Sequence, residues 1–274
     1  MRHAFAFALL SALLIVAPGG AAAQAVPSTC IAVAENLPET MDAIYVSLDA
    51  KAPTRLAQLG RDEVRITYVH HSTYLIESPD GVTVATDYSG FAGPTVPDIA
   101  TMNKAHATHF TEFPDPAIDH VLKGWNPEGG PARHALTVAD MYVRNVPTDI
   151  RSFGGGIEPD GNSIFIFEVA GLCIGHLGHL HHRLTDEDYA QIGRLDILMV
   201  PVDGGYTLSQ EGMGEIAKRL RSSIVLPMHR FRGPIDRFLD RLPDFAVDRR
   251  SEDSFTVSLR TLPGRPTVIV LSGV

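Results

Sequence analysis

The chain is short of cysteine, tryptophan and positive charge, and each shortage removes a class of answer. Its 274 residues hold only two cysteines, Cys30 and Cys173. Two thiols cannot build a zinc ribbon, so a metal site must draw on histidine and carboxylate. An oxidising compartment would let them pair and tie the N-terminal part to the core, whereas the apolar run Leu172-Cys173-Ile174 equally suits a buried free thiol. Lysine and arginine total 23 against 32 acidic residues, a net charge of −9. With no basic stripe, nucleic acid is excluded as an expected partner. No low-complexity segment or fixed-period repeat is present. Gly154-Gly155-Gly156 lacks the Lys-Ser/Thr of a phosphate-binding loop and reads as a turn. Trp125, between two glycine-containing turns, reads as a loop anchor.

Long apolar runs are also scarce. The one at 4–17 follows the basic start Met1-Arg2-His3, is broken by Pro18-Gly19-Gly20 and precedes the small-x-small sequence Ala23-Gln24-Ala25. It is shorter than the ~20 residues a span needs and has the form of a secretory leader. The organisation expected is a signal peptide at 1–25, an N-terminal extension at 26–60 with a short helix at 54–59, and one domain at 61–274. The mature protein is then periplasmic or secreted, free of the membrane, with a small molecule as its substrate.

From residue 64 the texture is that of strands. Residues 64–69 alternate with period two, 73–77 follow a His-His-Ser corner, and Pro79-Asp80-Gly81 turns the chain into 82–86. Residues 88–103 and 110–135 read as loops. Further strands are expected at 136–147, 163–169, 172–175, 197–200, 224–228, 255–259 and 267–271. Helices are expected from Thr185 to about Ile192, from Ser209 to near Arg221, and over 234–242, with Pro234 in the first turn. A meander followed by alternating strands and helices gives an α/β (α+β) class, with sheets face to face and helices outside.

Removing His3 with the leader leaves 11 of the 12 histidines. His70-His71 closes one strand, His106 and His109 follow a loop, His176, His179 and His181-His182 follow another strand, and His229 closes a fourth. Ligands collect at the carboxyl edge of such sheets, so these strand ends point to one pocket and one metal site.

Tyr68-Val69-His70-His71-Ser72, Thr86-Asp87, the stretch from Lys104 to His109, His176-Leu177-Gly178-His179, the run from Asp196 to Thr207, and Val225-Leu226-Pro227-Met228-His229 occur in a telling order. Over roughly residues 64–232 this order resembles the metallo-β-lactamase superfamily, in the branch related to ascorbate-phosphate lactonases. The resemblance implies a four-layer αββα sandwich, metal at the open edge between the sheets, usually zinc and sometimes manganese, and hydrolysis by water. The family loop His-x-His-x-Asp-His is altered here: Lys104 stands in the first histidine's place, His106 and His109 are kept, and Thr108 replaces the aspartate. The family's bridging aspartate is His179, and its middle histidine falls near Asp149. Losing a bridging carboxylate argues for one ion, because a neutral imidazole has one lone pair to give. The resemblance implies one Zn²⁺, or Mn²⁺, on His106, His109, His179 and His229. Asp149 is then a ligand or base, Lys104 a stabiliser of an anionic transition state, His71 a substrate contact, and Asp87 the carboxylate that orients a ligand histidine. The expected function is metal-dependent hydrolysis of an ester, lactone or phosphate-ester bond. The alternative is a non-catalytic metal- or ligand-binding protein on the same scaffold.

Overall fold

The computed structural model describes residues 28–31, 59–152, 154–231 and 233–274. The leader and nearly all of the N-terminal extension, with its expected helix, lie outside the described residues. The domain is a sandwich of two mixed sheets. The first carries β1 (Val64–His70), β2 (Thr73–Glu77), β3 (Thr83–Ala85), β4 (Ile99–Met102), β5 (His120–Lys123) and, far along the chain, β13 (Ser254–Val257), in the order β13-β1-β2-β3-β4-β5. The second contains β6 (Ala135–Val138), β7 (Met141–Arg151), β8 (Ile157–Val169), β9 (Leu172–His176), β10 (Ile197–Pro201), β11 (Ile224–Met228), β12 (Ala246–Arg249) and β14 (Thr267–Val270), in the order β12-β14-β11-β10-β9-β8-β7-β6.

Strand periodicity follows directly from the pleat. In β1, Val64, Ile66 and Tyr68 point into the sandwich, while Arg65 pairs at 3.0 Å with Glu77 directly opposite on β2. The central strands β9, β10 and β11 run parallel and are buried at every position. Such strands, covered on both faces, show continuous apolar runs in place of alternation. Ile66, Tyr74, Phe165, Phe167, Met199 and Leu226 belong to the core between the sheets.

A second core lies on the outer face of the larger sheet. There Ile192 of α1 (Asp186–Ile192), Met213 and Ile216 of α2 (Gln210–Leu220), and Phe238 of α3 (Asp236–Leu239) pack on Leu198 and Val225. Thr185 and Asp188 close a reciprocal capping box at the start of α1. On the smaller sheet, Val84 and Ile99 face inward, whereas Ala85 and Ala100 face outward against Tyr88, Ala92 and Ile118. Tyr88, Ala92 and Ile118, which pack on that face, come from loops.

Three strands lie in stretches expected to be irregular or left without an element: β4, β5 and β12, of four residues each. β4 and β5 pair in parallel, and β4 is buried throughout, so neither shows useful alternation. The strand expected over 136–147 is a hairpin, because the chain reverses at Ala139, with φ of 47°, between β6 and β7. β8 begins six residues before the expected 163, and α3 is only the central turn of 234–242.

Cys30 and Cys173 are disulfide-bonded, with Cα atoms 5.9 Å apart. The open choice between a bridge and a buried thiol is therefore resolved. Ser28 and Thr29 also hydrogen-bond the carboxylate of Glu168 on β8, which pairs at 3.0 Å with Arg144. Arg144 in turn donates to the carbonyls of Gln191 and Ile192 at the end of α1. The bridge spans 143 residues, so it restricts much of the unfolded chain. Replacing both cysteines by serine should lower the unfolding free energy by about 2–4 kcal/mol, read from urea titration. An unchanged denaturation midpoint would contradict that role.

Candidate metal centre

Parallel strands deliver their carboxyl ends to one edge of a sheet, and here both sheets do so side by side. The first supplies His71 at the corner after β1, Asp87 just after β3, and His106 and His109 after β4. The second supplies His179 after β9, Asp203 after β10, and His229 at the end of β11. Polar links join the sheets along this edge. The His229 N–H donates to the His71 carbonyl at 2.7 Å, and the Tyr74 hydroxyl donates to the Pro227 carbonyl at 2.8 Å.

The imidazoles of His71, His106, His109 and His229 each offer a nitrogen, and these four nitrogens lie within 4.8 Å of one another. His179 packs its ring against three of them, with centroids 5.0 Å from His106, 4.7 Å from His109 and 4.8 Å from His229. The Nε2 atoms of His71, His109 and His179 are buried and have no hydrogen-bond partner. Buried polar atoms are seldom left so, because each costs about 1–3 kcal/mol. A cluster of partnerless nitrogens is what a site for a cation, joined by a ligand, presents.

The opposite nitrogens are all engaged in four of the five rings. His109 Nδ1 lies 2.5 Å from Asp87 Oδ2, and His229 Nδ1 lies 3.0 Å from Asp203 Oδ1. His106 Nδ1 lies 2.7 Å from the Thr108 hydroxyl, and His179 Nδ1 lies 2.8 Å from His181 Nε2. A carboxylate accepts the Nδ1 proton, so His109 and His229 turn a bare Nε2 lone pair toward the centre.

Asn103 and Asn162 hold the frame behind these rings. Asn103 donates to Asp87 at 2.8 Å and accepts from the Ser163 N–H at 2.7 Å; Asn162 accepts from the His179 N–H at 2.7 Å. Gly178 has φ of +60°, and a Cβ there would come within 2.5 Å of both asparagine side chains. Non-glycine residues in the same left-handed region include His71, Asp87 and His229, with φ of 45°, 41° and 53°. Such backbone gathers at functional sites, where packing holds it.

Of the residues singled out in the sequence, His106, His109 and His229 lie in the group of four. His71, expected to touch substrate, joins them, and His179 stands beside the group. The structure does not bring Lys104 or Asp149 into it. Lys104 forms an ion pair with Glu158, and the Asp149 carboxylate accepts from the Asp160 N–H at 3.1 Å. His176 has both nitrogens occupied, donating to the Ser72 carbonyl at 2.9 Å and accepting from the Gly178 N–H at 3.1 Å. Asp203 and His181 received no role from the sequence, yet each holds a ring of the centre. The position of Asp203 at a strand end matches that of His229 and was a usable signal. His181 gave no sign of which ring it would hold. Tyr206 and Phe231, with ring centroids 5.2 Å apart, line a cavity of about 310 Å³ beside Asp203.

Burial and mutual repulsion keep His71, His106 and His179 neutral. Burial, then His229, His109 and His106, lower His71 to about 3; burial, then His109 and His229, lower His106 to about 4. His179 is lowered by the same causes. Burial pushes Asp87 and Asp203 upward, but hydrogen bonds and neighbouring histidines outweigh it and hold both below the ordinary carboxylate range.

The profile of the Beta-lactamase superfamily domain matches residues 65–229. A relative from Methanoculleus marisnigri, named UPF0173 metal-dependent hydrolase, is 23% identical over an alignment of 180 residues that covers 61% of this chain and 80% of the relative. The crystal structure of a candidate Zn-dependent hydrolase of the metallo-beta-lactamase superfamily from Thermotoga maritima superposes with a TM-score of 0.56 and 27% identity. It covers 76% of this chain and 98% of that one. The metallo-beta-lactamase fold protein YhfI from Bacillus subtilis matches in fold, with a TM-score of 0.50, 12% identity and coverage of 78% and 98%.

Two outcomes follow from this geometry. Asp87→Asn should weaken divalent-metal affinity about 10- to 100-fold by calorimetry, because the His109 tautomer loses its carboxylate. An unchanged affinity would refute the role. For pH, the unfolded histidines protonate near 6.5 while His71 and His106 wait until about 3 and 4. The unfolded chain therefore binds more protons, and stability should fall as pH drops below about 6.5. Thermal melts of metal-free protein that stay flat from about pH 7.5 to 4.5 would contradict the neutral cluster.

Proposed function

The chain belongs to the beta-lactamase superfamily, and from that premise we propose an exported hydrolase that uses one metal ion to open an ester, lactone or phosphate-ester bond in a small molecule. Metal dependence and hydrolysis accord with the relatives' names. The observation that carries the reading is the set of four imidazole nitrogens within 4.8 Å, together with the partnerless Nε2 atoms beside them.

A single ion is favoured because no carboxylate belongs to the group, and an imidazole cannot bridge two cations. Lys104, in the place where the family has its first loop histidine, is paired with Glu158 and has no lone pair to offer a second ion. Nitrogen donors suit zinc better than manganese, which prefers oxygen. An ion there supplies Lewis-acid polarisation and lowers the pKa of a water toward about 7.

The chain's own residues do the rest. Asp87 and Asp203 fix the tautomers of His109 and His229 and raise their basicity. Asp203 also accepts from the N–H groups of Gly205, Tyr206 and Thr207, while Arg151 donates to the carbonyls of the same three residues. The rim that carries Tyr206 is thereby held from both sides. Tyr206 and Phe231 offer an apolar wall to the non-reacting part of a substrate. Export is supported by the Cys30–Cys173 bridge, since such bonds persist in oxidising compartments.

The test is metal analysis coupled to turnover. Purified protein should hold about one equivalent of zinc. Chelator should abolish hydrolysis of simple esters, lactones or phosphodiesters, zinc should restore it, and His109→Ala should lose both metal and activity. Absence of a bound divalent ion, with no thermal stabilisation on adding one, would overturn the reading.

A further inference from the structure

Ring nitrogens that accept a hydrogen bond have no proton, and that rule propagates through a chain of contacts behind His179. The N–H of Arg151, at the end of β7, points at His181 Nδ1 from 2.6 Å. A peptide N–H can only donate, so His181 Nδ1 is bare and the ring's proton sits on Nε2. His181 Nε2 lies 2.8 Å from His179 Nδ1, which therefore accepts. His179 must then hold its own proton on Nε2. That atom is buried within the histidine cluster and has no partner, and the residue is 4% exposed. The contrast with His109 and His229 is complete: carboxylates take their Nδ1 protons, so their Nε2 atoms are bare. His179 thus presents a donor where His109 and His229 present lone pairs, while His106, 3.4 Å from His229 Nε2 and held at Nδ1 by a hydroxyl that can donate or accept, can carry its proton on either nitrogen.

We propose that His179 is not a metal ligand but the anion-receiving donor of the site. A protonated ring nitrogen has no lone pair for a cation, and its N–H suits an oxygen that carries negative charge. The centre is then bipartite. His71, His106, His109 and His229 take the cation, and His179 Nε2–H takes an oxygen of a carboxylate, a phosphate or the tetrahedral oxyanion of ester hydrolysis. This inference rests on the metal reading above for its cation half. The donor half rests on the contacts of Arg151, His181 and His179 alone. It replaces the family's bridging carboxylate with a group of opposite hydrogen-bonding sense.

The test begins with wild-type full-length protein labelled with ¹⁵N in histidine. Long-range ¹H–¹⁵N correlation spectra, metal-free and with zinc, should show His179 as the Nε2–H tautomer in both states. An Nδ1–H tautomer, or zinc bonded to His179 Nε2, overturns the proposal. Inorganic phosphate is then titrated into zinc-loaded protein. His179→Ala should keep its zinc and bind phosphate about 10- to 100-fold more weakly, the loss expected for one charge-assisted hydrogen bond. Loss of zinc in that variant counts against the proposal, as does unchanged phosphate affinity. His181→Glu supplies a second arm: a carboxylate at that place should draw the His179 proton to Nδ1, weaken phosphate and strengthen zinc. The opposite changes would refute the relay. If wild-type protein binds no zinc, the metal reading fails separately, and the metal-free spectrum still decides whether His179 is a donor.

Discussion

An imidazole has two nitrogens and, when neutral, one proton, and the centre depends on where each ring is made to keep it. Solvent would leave that choice nearly free. Here Asp87 and Asp203 settle it for His109 and His229. The Arg151 peptide group settles it for His181 and, one contact further, for His179. The determinants therefore sit a layer behind the rings and come from β7, from the loop after β3 and from the end of β10. The rings would be a crowd of interchangeable donors and acceptors without them.

Holding these determinants in register is a task for the whole edge of the sandwich. His71 and Ser72 receive hydrogen bonds from His229 and His176 of the opposite sheet, and Asn103 ties the loop after β4 to Ser163 on β8. Left-handed backbone at His71, Asp87 and His229 aims side chains that an extended strand would send to either face. Gly178 clears the space in which Asn103 and Asn162 meet. A site assembled in this way has little freedom to relax when one part is removed.

The legible parts of the sequence were those with a pattern. Alternation marked β1, the His-His-Ser corner marked the start of β2, turn residues marked the corner at Pro79-Asp80-Gly81, and apolar runs ending in histidine marked β9 and β11. The capping residues Thr185 and Ser209 located two helices. β4, β5 and β12 escaped, β4 because it is buried at every position and so shows no alternation. At the centre, residue type and strand-end position singled out the histidines but could not distribute roles among them. Whether His71 or His179 approaches the others depends on backbone angles and on contacts 30 residues apart, such as Arg151 with His181. A histidine's tautomer is a property of its neighbours, and spacing does not encode it.

The four grouped imidazoles come from both halves of the sandwich: His71, His106 and His109 from one sheet, His229 from the other. An ion bound among them acts as a rivet between two sheets that otherwise meet through apolar side chains and a few polar links. Rivets of this kind obey mass action. Each tenfold rise in free ion above its dissociation constant adds about 1.4 kcal/mol to the folded state. Wherever the supply of that ion varies, the durability of the molecule becomes a function of the medium's chemistry as much as of its own sequence.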